Sequence, residues 1–156
     1  NLGAWVRKQC PEKEILLWDG YCPIHNSITQ QDVLRAKAQH PSAKLAMHPE
    51  CPPEALQHAD MIGATSAIID YALQNEQEDI LFGTECGVYN DLIQKYPRRH
   101  FYQLRGDKLI CPDMKTTSLQ DVYMAITGAG GEEIVLEEPL RKAAKRSLDN
   151  MLKYGG

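Results

Sequence analysis

A chain of 156 residues, 43% apolar and 24% charged, is long enough for one ordinary soluble domain with a real core. A formal net charge of −4 gives no electrostatic case for nucleic acid or an anionic membrane, and no apolar run approaches the ~20 residues that span a bilayer. The 5 cysteines, at positions 10, 22, 51, 86 and 111, are an odd and scattered set without Cys-x-x-Cys spacing. That pattern argues for a reducing, cytoplasmic setting rather than a disulfide scaffold, and any metal site must be assembled from distant loops. No secretory signal pattern opens the chain, and Asn1-Leu2-Gly3 reads as the middle of something longer.

In chain order, residues 2–8 are amphipathic and read as the end of a helix. The apolar run 14–18 predicts a buried strand. Asp19-Gly20 then turns the chain, which would hang Cys22 and His25 from that strand's C-terminal end. Thr29 is a fitting N-cap for a helix over 30–39, which Pro41 ends. Residues 44–47 predict the next strand, running straight into His48-Pro49-Glu50-Cys51-Pro52-Pro53. Pro53 suits the first turn of a helix reaching 59. Met61-Ile62 is a short strand, followed by a small-residue turn and a helix over 66–73 whose N-terminal amides can hold an anionic group. Strands are expected over 79–82 and 100–104, with a helix over 88–96 between them. Leu109-Ile110-Cys111-Pro112 leads to helices over 118–127 and 140–154, the last a basic amphipathic one.

Strands and helices alternate through most of the chain. That predicts an α/β fold, a three-layer αβα sandwich with a short, mainly parallel sheet. The strands are apolar without alternation, as strands covered on both faces should be. Cys22/His25, His48/Glu50, Thr65/Ser66, Glu85 and Cys111 all follow predicted strands or extended runs, so a common strand-end edge is expected to gather them.

His48 and Glu50 are the acid/base candidates, the glutamate being held between two prolines. The plain alternative for Glu50 is a carboxylate favoured at a helix N-terminus. Cys22 and Cys111 each leave a turn beside a proline. Two loop thiolates can hold a soft metal or an iron–sulfur cluster, or can be small buried packers. Cys51 and Cys86 compete for a third ligand position. Cys51 with His48, or Cys22 with His25, is a competing nucleophile pair. Thr65-Ser66 is explained equally by a helix cap.

Together these stretches resemble the quinolinate synthase family, the iron–sulfur enzymes of NAD biosynthesis. The resemblance is carried by Asn1-Leu2-Gly3, residues 18–25 (WDGYCPIH), 48–53 (HPECPP), Ala59-Asp60, Thr65-Ser66, 83–87 (GTECG), 111–115 (CPDMK) and 147–152 (SLDNML), in that order over essentially all 156 residues. It implies three similar αβα domains around a pseudo-threefold axis, each giving one cysteine to a [4Fe–4S] cluster. Cys22 and Cys111 take two of those places, Cys51 and Cys86 are demoted, and the third ligand belongs outside this chain. By the same resemblance, 1–24 is the end of a preceding αβα domain, 25–111 a complete one and 112–156 a C-terminal helical segment. The missing N-terminal half of the enzyme is then a required partner, in a monomer or homodimer. The implied reaction joins iminoaspartate to dihydroxyacetone phosphate, with the open iron as Lewis acid for dehydration to quinolinate. Glu50 matches the acid/base glutamate and His48 the catalytic and substrate-pocket histidine. His25 matches a second pocket histidine, and Thr65 a residue that holds the substrate's anionic group. The neighbouring family serine is Ala64 here. The competing classes are a non-catalytic α/β interaction module and a structural metal-binding fragment that keeps the fold.

Overall fold

Apolar stretches too short to bury a helix face line up instead as strands. In the computed structural model, which describes residues 1–155, these are β1 (Lys44–Met47), β2 (Met61–Ile62), β3 (Ile80–Gly83) and β4 (Phe101–Gln103). They form one sheet of order β2-β1-β3-β4, with every neighbouring pair parallel. Parallel neighbours need a crossover, and each crossover here carries helix: α4 (Pro53–Leu56), α5 (Thr65–Gln74) and α6 (Cys86–Lys95). Ahead of the sheet come α1 (Leu2–Gln9), α2 (Pro23–Asn26) and α3 (Gln30–Gln39).

Side chains alternate across a strand, so the sheet feeds two cores. Leu45, Met47 and Leu81 point to one face and are buried with Val33 and Ala36 of α3 and Ala55 and Leu56 of α4. Ala46, Ile80 and Phe82 point to the other, against Ile68 and Ala72 of α5 and Val88 and Leu92 of α6. This is the αβα sandwich that the alternating pattern predicts, with a parallel sheet covered on both sides.

The segment 14–18 departs from expectation. It is not a strand, and Leu16 and Trp18 are 89% and 91% exposed. An apolar run becomes a strand only when a neighbouring strand takes its backbone hydrogen bonds, and among the described residues 14–18 pairs with none of β1–β4. Cys22 and His25 therefore do not leave a strand: Cys22 is the N-cap of α2, and His25 lies inside that single turn.

Two polar devices fix how α3 meets the end of the sheet. Thr29 and Asp32 form a reciprocal capping box, the Thr29 hydroxyl accepting from the Asp32 N–H and the Asp32 carboxylate accepting from the Thr29 N–H. Asp32, only 5% exposed, also receives Arg105, and Lys108 at 2.8 Å, both from the segment after β4. Burial raises the Asp32 carboxyl, but bonds from Lys108, Thr29 and Arg105 outweigh it and hold the group well below the usual carboxylate range.

The chain divides into two compact units, Asn1–Asp113 and Met114–Gly156. The second contains α7 (Leu119–Thr127), opened by a Ser118–Asp121 capping box and closed by Gly128 at φ 70°, and α8 (Glu138–Gly155). No helix among the described residues is long and apolar enough to cross a membrane.

Candidate functional site

After β1 the chain moves outward to β2, then returns past β1 to form β3. That reversal makes the C-terminal ends of β1 and β3 a topological switch point, where open α/β sheets leave a crevice. The two strands approach closely there. The His48 N–H donates to the Gly83 carbonyl at 3.1 Å, and a Cβ on Gly83 would fall 2.7 Å from Met47 Cγ. Glycine at the end of β3 leaves room for the Met47 side chain, directly before His48.

Glu50 reaches back across the crevice to α2. His25 Nδ1 lies 3.0 Å from Glu50 Oε2 and 3.2 Å from Cys22 Sγ. The ligand-capable atoms of Cys22, His25 and Glu50 all fall within 4.8 Å of one another. The other ring nitrogen, His25 Nε2, is 3.4 Å from the Thr84 hydroxyl, which the end of β3 supplies. His48 stacks on His25 with ring centroids 4.6 Å apart and 14° between the planes. Its Nδ1 accepts the Glu50 N–H at 3.3 Å, which places the proton of the neutral ring on Nε2. Burial lowers the pKa of both imidazoles; at His25 the adjoining His48 lowers it further, while Glu50 pulls each back only in part. Both rings are consequently neutral at pH 7, able to accept a proton or to bind a metal.

Cys22 and Glu50 open onto a cavity of about 590 Å³ whose walls include Leu2, Leu17, Trp18 and Tyr21. That volume falls in the range of small-molecule sites. Asn1 holds this wall to the site through its side-chain amide, which donates to the Glu50 carbonyl at 2.9 Å and to Asn26 Oδ1 at 2.8 Å.

The structure thus joins Cys22, His25, His48 and Glu50 from the sequence-predicted set. Cys111 lies outside the close group. It is half-buried after β4, and its N–H donates to Glu85 Oε1 at 3.4 Å. Glu85 is buried, caps α6 by accepting the Gly87 N–H at 2.6 Å, and also receives the Cys86 thiol at 3.3 Å. Thr65 opens α5 after β2 and is exposed. Cys51 is wholly buried beneath the site, with its thiol directed at the Gly83 carbonyl. Burial, helped by Cys22 and Glu50, pushes that thiol up to about 12, so it is no thiolate at neutral pH. Thr84 and Asn1 are the residues that residue-by-residue reading missed. Both stand inside stretches that carry the resemblance, Asn1-Leu2-Gly3 and 83–87, and Thr84 is also a polar residue placed directly after the apolar run 80–83, but neither is given a place at the site by that reading.

The family model described as quinolinate synthetase A protein matches residues 1–153. Proteins named quinolinate synthase are 42% identical over 99% of the chain in Caldicellulosiruptor bescii, 41% over 99% in Clostridium acetobutylicum and 37% over 98% in Clostridioides difficile. In each case the chain spans about 50% of the relative's own length. A family match over nearly every residue, together with these identities, places this chain in the quinolinate synthetase A family.

Proposed function

We propose that this chain is the C-terminal half of a quinolinate synthase, which joins iminoaspartate to dihydroxyacetone phosphate and dehydrates the product to quinolinate. The observation that carries this reading is the meeting of Cys22, His25, His48 and Glu50 at the β1/β3 switch point, beside a cavity of small-molecule size. The chain then comprises the end of one αβα domain (1–24), a complete one (25–111) and a helical segment (112–156), within a three-domain pseudo-threefold enzyme. The portion outside this chain completes the site.

The donor chemistry fits an iron–sulfur cluster at two of its corners. Cys22 and Cys111 are half-buried thiols on the site side of the sheet, reached from α2 and from the segment after β4. Cys111 is outside the close group of Cys22, His25 and Glu50; cluster thiolates bind separate irons and need not share one close group. Cys51, buried and protonated, is unsuited to the role. A third thiolate would come from the other half. When bound, the cluster supplies a Lewis-acidic iron.

The remaining work falls to the chain's own side chains. Dehydration takes a proton from carbon and gives one to the departing hydroxyl. Glu50, partly open to the cavity, is placed to carry that proton, and the His25 Nδ1–H donates to its Oε2 and holds it in one orientation. His48, neutral and stacked on His25, presents Nε2 as a second proton-handling group. The free amides of the first turn of α5, at Thr65, are placed to receive a substrate anion; Ala64 leaves that task to the backbone.

Anaerobic reconstitution with iron and sulfide, in the presence of the half that this chain does not span, tests the reading. Four-iron absorption and quinolinate formation are expected, and Cys22→Ser or Cys111→Ser abolishes both. Glu50→Gln keeps the absorption and lowers turnover by ~100-fold or more. Near-normal turnover in that variant removes Glu50 from the acid/base role. No cluster in the complete assembly overturns the assignment.

A further inference from the structure

The close group at α2 has the geometry of a single-ion site, which is a different thing from one corner of a cluster. A soft thiolate, a neutral imidazole and a carboxylate make a borderline donor set suited to zinc or ferrous iron. Bonds of about 2.0–2.3 Å to a common ion bring tetrahedral ligands to within roughly 3–4 Å of each other. Two of the three separations, 3.0 Å from His25 Nδ1 to Glu50 Oε2 and 3.2 Å to Cys22 Sγ, already meet that requirement. All three donor atoms lie within 4.8 Å before any ion draws them together.

The second observation is on the far side of the ring. A metal-binding histidine normally donates its other ring N–H to an outer partner, which fixes tautomer and orientation. His25 Nε2 faces the hydroxyl of Thr84 at 3.4 Å, and Thr84 is 2% exposed, held at the end of β3. With Nδ1 committed to a metal, the Nε2–H has this acceptor ready. Three protein donors leave a fourth position open towards the 590 Å³ cavity that Cys22 and Glu50 border.

We propose that Cys22, His25 and Glu50 bind a single divalent transition-metal ion, with Thr84 orienting the histidine, and that this ion and a cluster at Cys22 exclude one another. The ion site stands on this chain's geometry alone; the exclusion rests on the cluster reading given above. Binding converts the Cys22 thiol to thiolate, its proton passing to solvent, with no redox change. An ion held here occupies both the cluster thiolate and the acid/base carboxylate, so a cell rich in free zinc would keep the protein cluster-free and inactive.

Cobalt(II) is the probe, titrated anaerobically into the cluster-free chain and read by its d–d absorption and thiolate-to-cobalt charge-transfer band. The wild type and Cys111→Ser should both bind a single cobalt with that band. Cys22→Ser should lose the band, and His25→Ala and Glu50→Gln should bind far more weakly. Thr84→Val, which keeps the side-chain volume, should keep the band but weaken affinity by about 10–100-fold. Circular dichroism checks the fold of each variant. The proposal is overturned if the wild type shows no charge-transfer band, if the band depends on Cys111, or if His25→Ala and Glu50→Gln bind as tightly as wild type. Prior zinc loading should block iron–sulfide reconstitution of the completed assembly; normal reconstitution with zinc still bound overturns the exclusion. Cys111→Ser separates the two readings, since it should lose the cluster while keeping cobalt.

Discussion

Cys51 and Cys22 differ in exposure by a few ångströms of protein, and that difference predicts a difference in reactivity. Cys51 lies in the most chemically suggestive stretch of the sequence, yet its thiol is enclosed by the core under β1 and raised to about 12. Cys22 caps α2 at the rim of the cavity. Limited alkylation with iodoacetamide at pH 8, followed by peptide mapping, should label Cys22 at least about 100-fold faster than Cys51 in the folded chain, with the difference lost in denaturant. Equal labelling while the protein is folded would place Cys51 at the surface. The same contrast shows what was legible at this scale. His48 and Glu50 stand out in the sequence because proline-bounded imidazole and carboxylate groups after an apolar run are rare. Thr84 and Asn1 lie in stretches that carry the resemblance but show nothing there of what they touch; their contacts arise from β3 lying beside β1 and from α1 packing near residue 50. Chain order does not encode those approaches.

At the scale of elements, β1 to β4 were legible as short apolar runs bounded by turns, and Thr29 was legible as a cap. The run 14–18 is apolar too, but strand pairing is decided by a partner, and among the described residues it pairs with none of β1–β4. What the sequence does not display is the pin between α3 and the end of the sheet, because Asp32 is separated from Arg105 and Lys108 by more than seventy residues. This pin makes a pH prediction. The Asp32 carboxyl is held below its unfolded value, so the stability it contributes is full above the unfolded pKa and is lost as pH falls through the folded one. Asp32→Asn should therefore cost about 2–3 kcal/mol in urea unfolding at pH 7. That is less than a fully enclosed pair would cost, because Arg105 and Lys108 are 24% and 29% exposed and can turn to water. The gap between wild type and variant should stay constant down to about pH 5 and close progressively below it. A gap that is already absent at pH 7 would show that the pin contributes nothing to stability.

For the whole molecule, the informative feature is the apolar surface beside the site. Leu16, Trp18 and Tyr21 are exposed, and with Leu2 and Leu17 they form the wall of the cavity onto which Cys22 and Glu50 open. A solvent-facing tryptophan, leucine and tyrosine grouped at the mouth of a polar site is the surface expected where another body seats. The chain spans half the length of its relatives, and the proposed function requires a further thiolate from the remainder. A partner seated on the wall around Trp18 would both reach the site and remove apolar area from water. The chain's 2 tryptophans make the test direct. Trp5 is already packed against the first core cluster, whereas Trp18 is 91% exposed. In a Trp5→Phe background, emission should begin red-shifted and readily quenched by acrylamide. Adding the N-terminal half of a relative should shift it to the blue and cut quenching severalfold, with Trp18→Ala weakening assembly by about 10-fold or more, the effect of losing a buried aromatic anchor. Assembly that restores quinolinate formation while leaving Trp18 as quenchable as before would place the partner on another face and leave this wall as the site's open entrance.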